Sequence, residues 1–366
     1  GPCIRDAEIE TILRDYGDPI FKAAGLNADD VDIYIVNDPT LNAMVALGQN
    51  MYINTGLIMA AETPEQLKGV MAHETCHMAC GHQITRSMAA DAAGNMSLMS
   101  IGLGVIAMAA GAPEAGMALI GSSSQFGYLT FAKHTRSEES AADQMAVRYL
   151  EATEQSAEGL VEFFEKFRYQ EVMSDSRRMP YFRTHPLSSQ RIGQLRQRAD
   201  EAQVHAKPQS PESIDQMARM KAKLVGFLES ANRVYRDYPP SDLSVPARYA
   251  RAIHAYRVPD IGAALKEIDG LLEIEPDNPY FNELKGQILF ESGRNEESIA
   301  PHRRSVELAP DQPLLKINLA RSLIETEDPI KIKEAEGLLI DALAAEKDNA
   351  FAWTFIAQVY ASQGRV

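Results

Sequence analysis

Cysteine is scarce in this chain of 366 residues, which has Cys3, Cys76 and Cys80 and no others. Three cysteines cannot build a disulfide framework, so cysteine usage does not indicate a cellular compartment. Cys76 and Cys80 are four residues apart, about one helical turn, and a bridge between them would close almost no loop. We therefore predict that both are free thiols.

Basic residues are also in short supply. The chain has 36 Lys and Arg against 51 Asp and Glu, which gives a net charge of −15. A nucleic-acid partner is not expected, because binding to a phosphate backbone needs a basic surface that displaces counterions. The hydrophobic content of 45% is ordinary for a folded protein, and the length is sufficient for about two or three domains.

Charge is absent from residues 92–113, a run rich in Gly, Ala and Met, but this run is short and weakly hydrophobic for a membrane span. Pro113 and Glu114 interrupt it before further apolar residues. Three interpretations stay open for residues 96–120: a buried or site-covering helical hairpin, a surface that contacts a membrane or an apolar substrate, and a transmembrane helix. We favour the first, and expect the segment to lie over or beside the active site.

The N-terminal region predicts a helix, three short strands and a second helix. Residues 6–24 are amphipathic, and the strands are expected at 31–38, 42–48 and 50–56, separated by Asn, Asp, Pro and Gly. The second helix has clear start signals, with Thr63 as N-cap, Pro64 in the first turn and Gln66 completing a capping box. Further helices are predicted at 137–152 and 156–171, followed by a loop from residue 179 that leads into another helix.

The C-terminal region is repetitive. The segment EPDNP at 275–279 recurs as APDQP at 309–313, a spacing of 34 residues, and as EKDNA at 346–350. Small residues recur in phase, at Ala252, Gly286, Ala320 and Ala357. This period resembles tetratricopeptide repeats, which are stacked helix pairs. We predict a domain at 1–204, a linker and connecting helix at 205–244, and about three and a half repeats at 245–366.

The segment that indicates chemistry is GVMAHETCHMACGH, residues 69–82. His73 and His77 are four apart and share one face of the predicted helix, where two imidazoles can bind one Zn²⁺. Glu74 lies beside them and can act on a water molecule as general base, as in the H-E-x-x-H motif. His82 is off this face, and we predict a structural role for it.

A zinc peptidase needs a third protein ligand, and SEESAAD at 137–143 offers one. Glu139 can bind the metal, while Asp143 on the same helical face can hold a histidine ligand in place. Glu138 is the competitor, but it would lie on a different face from Asp143. One of the two glutamates is expected to be only a helix N-terminal acid.

Several motifs occur in an order that resembles the gluzincin metallopeptidases of the HtpX and CAAX-prenyl-protease type. They are Asn42-Ala43, Thr55-Gly56, HETCH, EESAAD and RTHP at 183–186. The repeats narrow the resemblance to periplasmic, repeat-bearing members in Gram-negative bacteria. The resemblance implies an α+β zincin-like domain, mainly helical with a small sheet, followed by an α-helical tetratricopeptide-repeat solenoid.

The resemblance also implies a function. It predicts a zinc endopeptidase with one Zn²⁺ per chain that handles misfolded or stalled envelope and outer-membrane proteins, with repeats that bind clients or the assembly machinery. The expected location is the periplasm, with the signal peptide removed and membrane association left open through residues 96–120. The first two residues, Gly1-Pro2, are typical of a remnant of tag cleavage.

Two further site predictions concern substrate binding and regulation. The strand carrying Met51, Tyr52, Ile53 and Asn54 is expected to be an edge strand that pairs with an extended substrate. For His185 three roles are open: support of the next helix, oxyanion stabilisation, or a fourth zinc ligand that fills the position of the water and holds the enzyme inactive. The resemblance favours the fourth-ligand role.

A binding module is the rival interpretation. In it, the repeats act as a chaperone or scaffold and the zinc site only braces the fold. Glu74 argues for the enzyme, because a structural zinc site has no use for a carboxylate beside its ligands. A redox sensor built on Cys76 and Cys80 is a third, weaker alternative.

Overall fold

The computed structural model describes residues 2–46, 48–173 and 180–365. The chain divides into two compact units. The first unit consists of Gly1–Ile4 and Leu13–Ile214, and the second consists of Arg5–Ile12 and Asp215–Val366. The first helix therefore contributes residues to both units.

The first unit is mainly helical with one small sheet. Its elements, in chain order, are β1 Cys3–Ile4, α1 Ala7–Ala23, β2 Asp32–Val36, β3 Ala43–Ala46, β4 Asn50–Asn54, α2 Thr55–Ala60, α3 Pro64–Ala79, α4 His82–Ala109, α5 Pro113–Gly121, α6 Ser123–Ala152, α7 Glu158–Met173, α8 Pro180–Thr184 and α9 Ser189–Ala202. The three predicted strands and the helix after them are confirmed. The loop predicted from residue 179 contains the short helix α8.

The sheet has the strand order β1-β2-β4-β3. Strand β4 pairs in parallel with β2 and antiparallel with β3, so both of its edges are occupied. The prediction that Met51, Tyr52, Ile53 and Asn54 form an edge strand is therefore wrong. Three of these four side chains are buried, those of Met51, Ile53 and Asn54. The outer strand on this side is β3, because the short segment at 43–46 adds beyond β4 rather than between β4 and β2.

Helix α3 begins as the sequence predicts, with the Thr63 hydroxyl accepting a hydrogen bond from the Gln66 N–H. The reciprocal bond of a capping box is absent at Thr63, since the Gln66 side chain accepts from the N–H of Glu62 instead. Glycines let α7 approach α3 closely. A Cβ on Gly69 would lie 2.7 Å from the Leu160 Cβ, and one on Gly159 would lie 2.4 Å from the Glu65 carbonyl carbon. This packing buries most of α3.

Cys76 and Cys80 form a disulfide at the C-terminal end of α3, so the prediction of two free thiols is wrong. Their Cα atoms are 5.3 Å apart, within the range that a disulfide spans. A short loop limits how much a disulfide stabilises the fold, but it does not prevent the bond from forming. Cys80 is the C-cap of α3, and Cys3 is a free, exposed cysteine.

Helices α4, α5 and α6 form an extended hairpin that is mostly exposed. In α4 only His82, Ala93, Ser100 and Gly104 are buried, out of 28 residues. The preferred interpretation of residues 96–120 as a buried hairpin is therefore wrong. Their interhelical contacts run between α4, α5 and the start of α6. The expectation that they lie over or beside the active site stays a prediction. Helix α4 is long and apolar enough to cross a membrane.

The second unit is helical. Its helices are α10 Pro211–Leu228, α11 Ala231–Asp237, α12 Val245–Arg257, α13 Ile261–Ile274, α14 Pro279–Glu291, α15 Asn295–Leu308, α16 Pro313–Ile324, α17 Pro329–Ala345 and α18 Ala350–Ser362. Small residues lie where successive helices pack. A Cβ on Gly286 of α14 would lie 2.6 Å from the His302 ring of α15, which is fully buried. Two apolar clusters form the core, one around α12–α14 and the other around α15–α18.

Candidate metal centre and active site

Helix α3 supplies the first three side chains of the site. His73 and His77 are one turn apart and both buried, and their Nε2 atoms are 3.1 Å from each other. Glu74 is also buried, and among the described residues neither of its carboxylate oxygens accepts a hydrogen bond. The helix therefore directs two imidazole nitrogens and an open carboxylate into one place.

Helix α6 adds the carboxylate that the sequence predicts. The Glu139 Oε2 atom lies 3.2 Å from His73 Nε2, and its Oε1 atom lies 3.4 Å from His77 Nε2. Asp143, one turn later, lies with Oδ1 3.0 Å from His73 Nδ1. Glu138 faces elsewhere and pairs with Arg86 at 2.8 Å. Between the two adjacent glutamates, the structure places Glu139 with the histidines.

His185 joins the cluster from the residue after α8. Its Nδ1 atom lies 3.0 Å from Glu139 Oε2 and 3.4 Å from His73 Nε2. Its Nε2 atom faces Glu74 Oε1 at 3.5 Å. The ring stacks on Tyr181, with centroids 4.5 Å apart. His185 thus fills the remaining side of a pocket that α3 and α6 leave open.

The four donor groups match the geometry of a tetrahedral zinc site. With Zn–N bonds of about 2.0–2.1 Å, the donor atoms of a tetrahedron are about 3.3 Å apart. Distances between donor atoms of His73, His77, Glu139 and His185 run from 3.0 to 3.4 Å, and all their ligand atoms lie within 4.8 Å of one another. Three imidazoles and one carboxylate are donors that suit Zn²⁺. The residues therefore fit this ion.

Hydrogen bonds behind the cluster assign the imidazole tautomers. An ionised carboxylate can only accept, so Asp143 takes the hydrogen bond of His73 Nδ1–H, and Nε2 is the nitrogen that faces the other donor groups. His77 Nδ1 lies 2.8 Å from His82 Nδ1, so His82 can orient His77 in the same way. His82 therefore acts in the site through His77, although it is off the ligand face.

Two arginines support the carboxylates, and sequence reasoning missed both. Arg191 of α9 donates to Asp143 Oδ1 at 2.9 Å and lies 3.3 Å from Glu139 Oε2. Arg86 of α4 donates to Glu139 Oε1 at 2.6 Å. Neither arginine belongs to a ligand motif, and the only sequence signal was that Arg191 follows His185 by six residues. They compensate the buried negative charge beside the donor atoms.

Burial controls the protonation of the groups around the cluster. It raises the pKa of Glu74, while His185 and His73 act in the opposite direction. It also raises the pKa of Tyr181 well above the usual value. For Arg191, burial disfavours the charged form, but the adjacent Asp143 outweighs it and the pKa is raised. Glu74 is thus a carboxyl whose proton affinity is increased, as a general base requires.

The outer edge of β3 is directed toward the segment that carries His185. Asn54 N–H donates to Asn42 O, so residues 42, 44 and 46 face β4, and Ala43 and Val45 present their N–H and C=O groups to the outer edge. Further along the same edge, the Leu41 carbonyl accepts from the N–H of Tyr181 in α8. This edge therefore ends at the segment that carries Tyr181 and His185.

Comparison with known proteins gives matches over nearly the whole chain. The chain is 26% identical over 376 aligned positions to the β-barrel assembly-enhancing protease of Escherichia coli K12, covering 99% of this chain and 74% of that protein. The protein of the same name from Yersinia pestis is 23% identical with the same coverage. A putative one from Vibrio cholerae is 25% identical over 74% of this chain and 57% of its own length.

The family comparison agrees with the donor geometry. Residues 5–199, more than half of the chain, match the model of peptidase family M48. Peptidases of this family use zinc, and the buried group of His73, His77, Glu139 and His185 can hold it. The resemblance drawn from the motifs is confirmed, and the chain is a metallopeptidase that belongs to peptidase family M48.

Proposed function

We propose that this protein is a zinc endopeptidase in which His73, His77 and Glu139 hold the metal and Glu74 is the general base. The observation that carries the proposal is the convergence of three donor groups at tetrahedral separations beside a buried, unbonded carboxylate. When bound there, zinc supplies a Lewis acid and lowers the pKa of a water molecule.

The protein side chains divide the remaining work. Glu74 accepts the proton of the attacking water and then donates it to the leaving amine nitrogen. Asp143 keeps His73 in the tautomer that leaves Nε2 open, and His82 does the same for His77. Arg191 holds Asp143 in place through two hydrogen bonds. These supports fix the donors before substrate arrives.

We infer that β3 binds the substrate, in place of β4. Its outward N–H and C=O groups can pair with any extended chain, which gives affinity with little demand on sequence. Strand β3 and the Leu41 carbonyl lie on the edge that leads to α8. This mode of recognition favours unfolded clients.

His185 is proposed as a fourth ligand that holds the enzyme inactive. Its Nδ1 atom completes the set of donors, and its Nε2 atom faces the general base Glu74. A site with four protein donors has no position for water. Activity then requires His185 to leave, together with the segment after α8.

The biological setting is proposed from the relatives. Their name, β-barrel assembly-enhancing protease, supports clients among misfolded or stalled outer-membrane proteins. The resemblance drawn from the motifs supports a periplasmic location. The period of 34 residues supports tetratricopeptide repeats at 245–366 that bind clients or the assembly machinery, after a peptidase domain at 1–204 and a linker at 205–244.

Metal dependence tests the proposed activity. The purified chain should contain about one Zn²⁺ and cleave an unfolded protein such as casein. A zinc chelator should abolish cleavage, and added Zn²⁺ should restore it. Cleavage that persists after the metal has been removed would reject a zinc peptidase, and binding of casein without cleavage at any zinc concentration would favour the scaffold alternative.

A further inference from the structure

The α4–α6 hairpin concentrates exposed apolar side chains of the described chain. Between residues 92 and 132 the only charged side chain is Glu114. Large apolar side chains on this segment are exposed rather than packed: Met96, Leu98, Met99, Ile101, Leu103, Val105, Ile106, Met117, Phe126, Tyr128, Leu129 and Phe131. Only 17% of the most apolar window of α4 is buried, which excludes an ordinary core helix. A surface of this size on a folded protein indicates a binding site.

The interior of the hairpin is built like a pair of membrane helices. A Cβ on Gly104 would lie 2.7 Å from the Gly116 carbonyl oxygen, so α4 and α5 meet backbone to backbone at these glycines. Hydrogen bonds across the hairpin run from serine hydroxyls to carbonyls, from Ser97 to Ser123 and from Ser100 to Leu119. Small residues at contacts and serine hydrogen bonds are the means by which helices associate where water is absent.

Apart from Glu114 at the tip, the charged and aromatic side chains of the hairpin lie at its base. Gly127 of α6 packs against Ala93 and Ser97 of α4, and Glu138 bonds to Arg86, so the two helices run antiparallel and residues 126–136 lie level with the start of the apolar part of α4. Exposed Lys133 and Arg136 lie at this level. Aromatic residues with adjacent cations are typical of the boundary between hydrocarbon and headgroups, where cations attract anionic lipids.

The length of the apolar part matches a bilayer. Residues 92–109 rise about 27 Å at about 1.5 Å per residue, close to the hydrocarbon thickness of about 30 Å. The one charge, Glu114, follows the turn at the far end of this length. Full insertion would therefore carry Glu114 through to the opposite headgroup region rather than leave it in the hydrocarbon.

We propose that residues 92–132 insert tip-first into a lipid bilayer, with Lys133 and Arg136 at the headgroups. Glu139 follows Lys133 by six residues on the same helix, a rise of about 9 Å. If the proposed function also holds, the peptidase site would thus lie close to the membrane surface and would act on clients held there.

Vesicle flotation with the full chain tests the insertion. The protein should float with vesicles of phosphatidylcholine and bind more tightly when phosphatidylglycerol is included. Leu103→Asp should weaken binding by tenfold or more. The matched control is Ile330→Asp on α17, since Ile330 is 83% exposed and lies outside the hairpin. Replacing Lys133 and Arg136 by Gln should lower binding to the anionic vesicles by about fivefold per charge.

The depth of the hairpin can be measured because the chain has a single tryptophan. With Trp353→Phe as background, Leu103→Trp places the reporter near the middle of the apolar length. Lipids brominated deep in the acyl chains should quench it more strongly than lipids brominated near the headgroup.

Three results would overturn the proposal. The first is that Leu103→Asp binds vesicles as tightly as the parent. The second is that only lipids brominated near the headgroup quench the tryptophan. The third is that the parent does not bind vesicles and that Leu103→Asp changes the oligomeric state, which would make a second copy of the chain the partner. Cleavage of a short peptide in solution, measured in parallel, is independent of these outcomes. If the parent binds vesicles but does not cleave the short peptide, the proposed peptidase activity is rejected and the membrane proposal still holds.

Discussion

At the residue scale, the proposed role of His185 as a latch predicts the effect of removing its side chain. His185→Ala removes the donor that completes the set of four and leaves His73, His77 and Glu139 in place. If His185 leaves the active site in only about one parent molecule in ten, kcat/KM of the variant on a model peptide should rise about tenfold.

His205→Ala is the matched control, because His205 is an exposed histidine outside the site. A large fall in kcat/KM with zinc retained would show that His185 stabilises the oxyanion and is not a latch. No change in either variant would leave His185 only a structural role.

A second residue, His302, predicts how stability depends on pH. It is fully buried against Gly286, and burial lowers its pKa to about 3. Between pH 3 and the ordinary value of about 6.5, the unfolded chain binds a proton that the folded chain does not. Stability should therefore fall as the pH falls through this window, by about 2 kcal/mol at pH 5.

Urea unfolding, followed by the fluorescence of Trp353 in α18, measures this effect. His302→Leu should remove the contribution, so the difference in unfolding free energy between parent and variant should change by about 2 kcal/mol from pH 7 to pH 5. A difference that is independent of pH would show that His302 binds a proton as readily in the folded chain as in the unfolded chain.

At the element scale, β3 is predicted to bind substrate through its outer edge. Val45→Pro removes an N–H that faces this edge and leaves the hydrogen bonds to β4 intact, a position where proline is tolerated. The loss of one backbone hydrogen bond to the substrate should lower kcat/KM by about two- to tenfold. Val45→Ala removes the same side chain but keeps the N–H, so it should cost much less. Equal losses in the two variants would contradict main-chain recognition at β3.

The elements differ in how far the sequence predicts them. Helix α3 was predictable because Thr63, Pro64 and the H-E-x-x-H spacing are local signals, and Glu139 and Asp143 follow from the same helical period. Strand order was not predictable, because nothing local states that β3 adds outside β4. Arg191 and Arg86 were missed because they reach the site only through tertiary packing, from α9 and α4.

Composition and spacing did not predict the exposure of the hairpin or the disulfide between the two cysteines. An uncharged, Gly-rich run is compatible with a core helix and with a membrane-exposed one, and only the exposure of Leu103 and Ile106 separates the two. The disulfide between Cys76 and Cys80 needs the local geometry at the end of α3, which the spacing of four residues does not specify.

At the scale of the whole molecule, one chain combines a peptidase site with a repetitive helical region. Helix α1 is divided between the two units. Its start belongs with Arg5–Ile12 to the second unit, and the rest, from Leu13, belongs to the first unit, which contains the site. Truncation at residue 245 would remove the packing partners of the first turns of α1. Point variants that leave both units complete are therefore the sounder test of catalysis.

The most direct test of the central claim is Glu74→Gln. The amide cannot accept the proton of the attacking water, so kcat/KM on casein and on a short peptide should fall by about 10²–10⁴. The variant should still contain about one Zn²⁺ per chain, because Glu74 is not among the proposed ligands. Glu65→Gln, on the same helix, is the control and should cleave like the parent. A Glu74→Gln protein that keeps its zinc and cleaves as well as the parent would contradict the account.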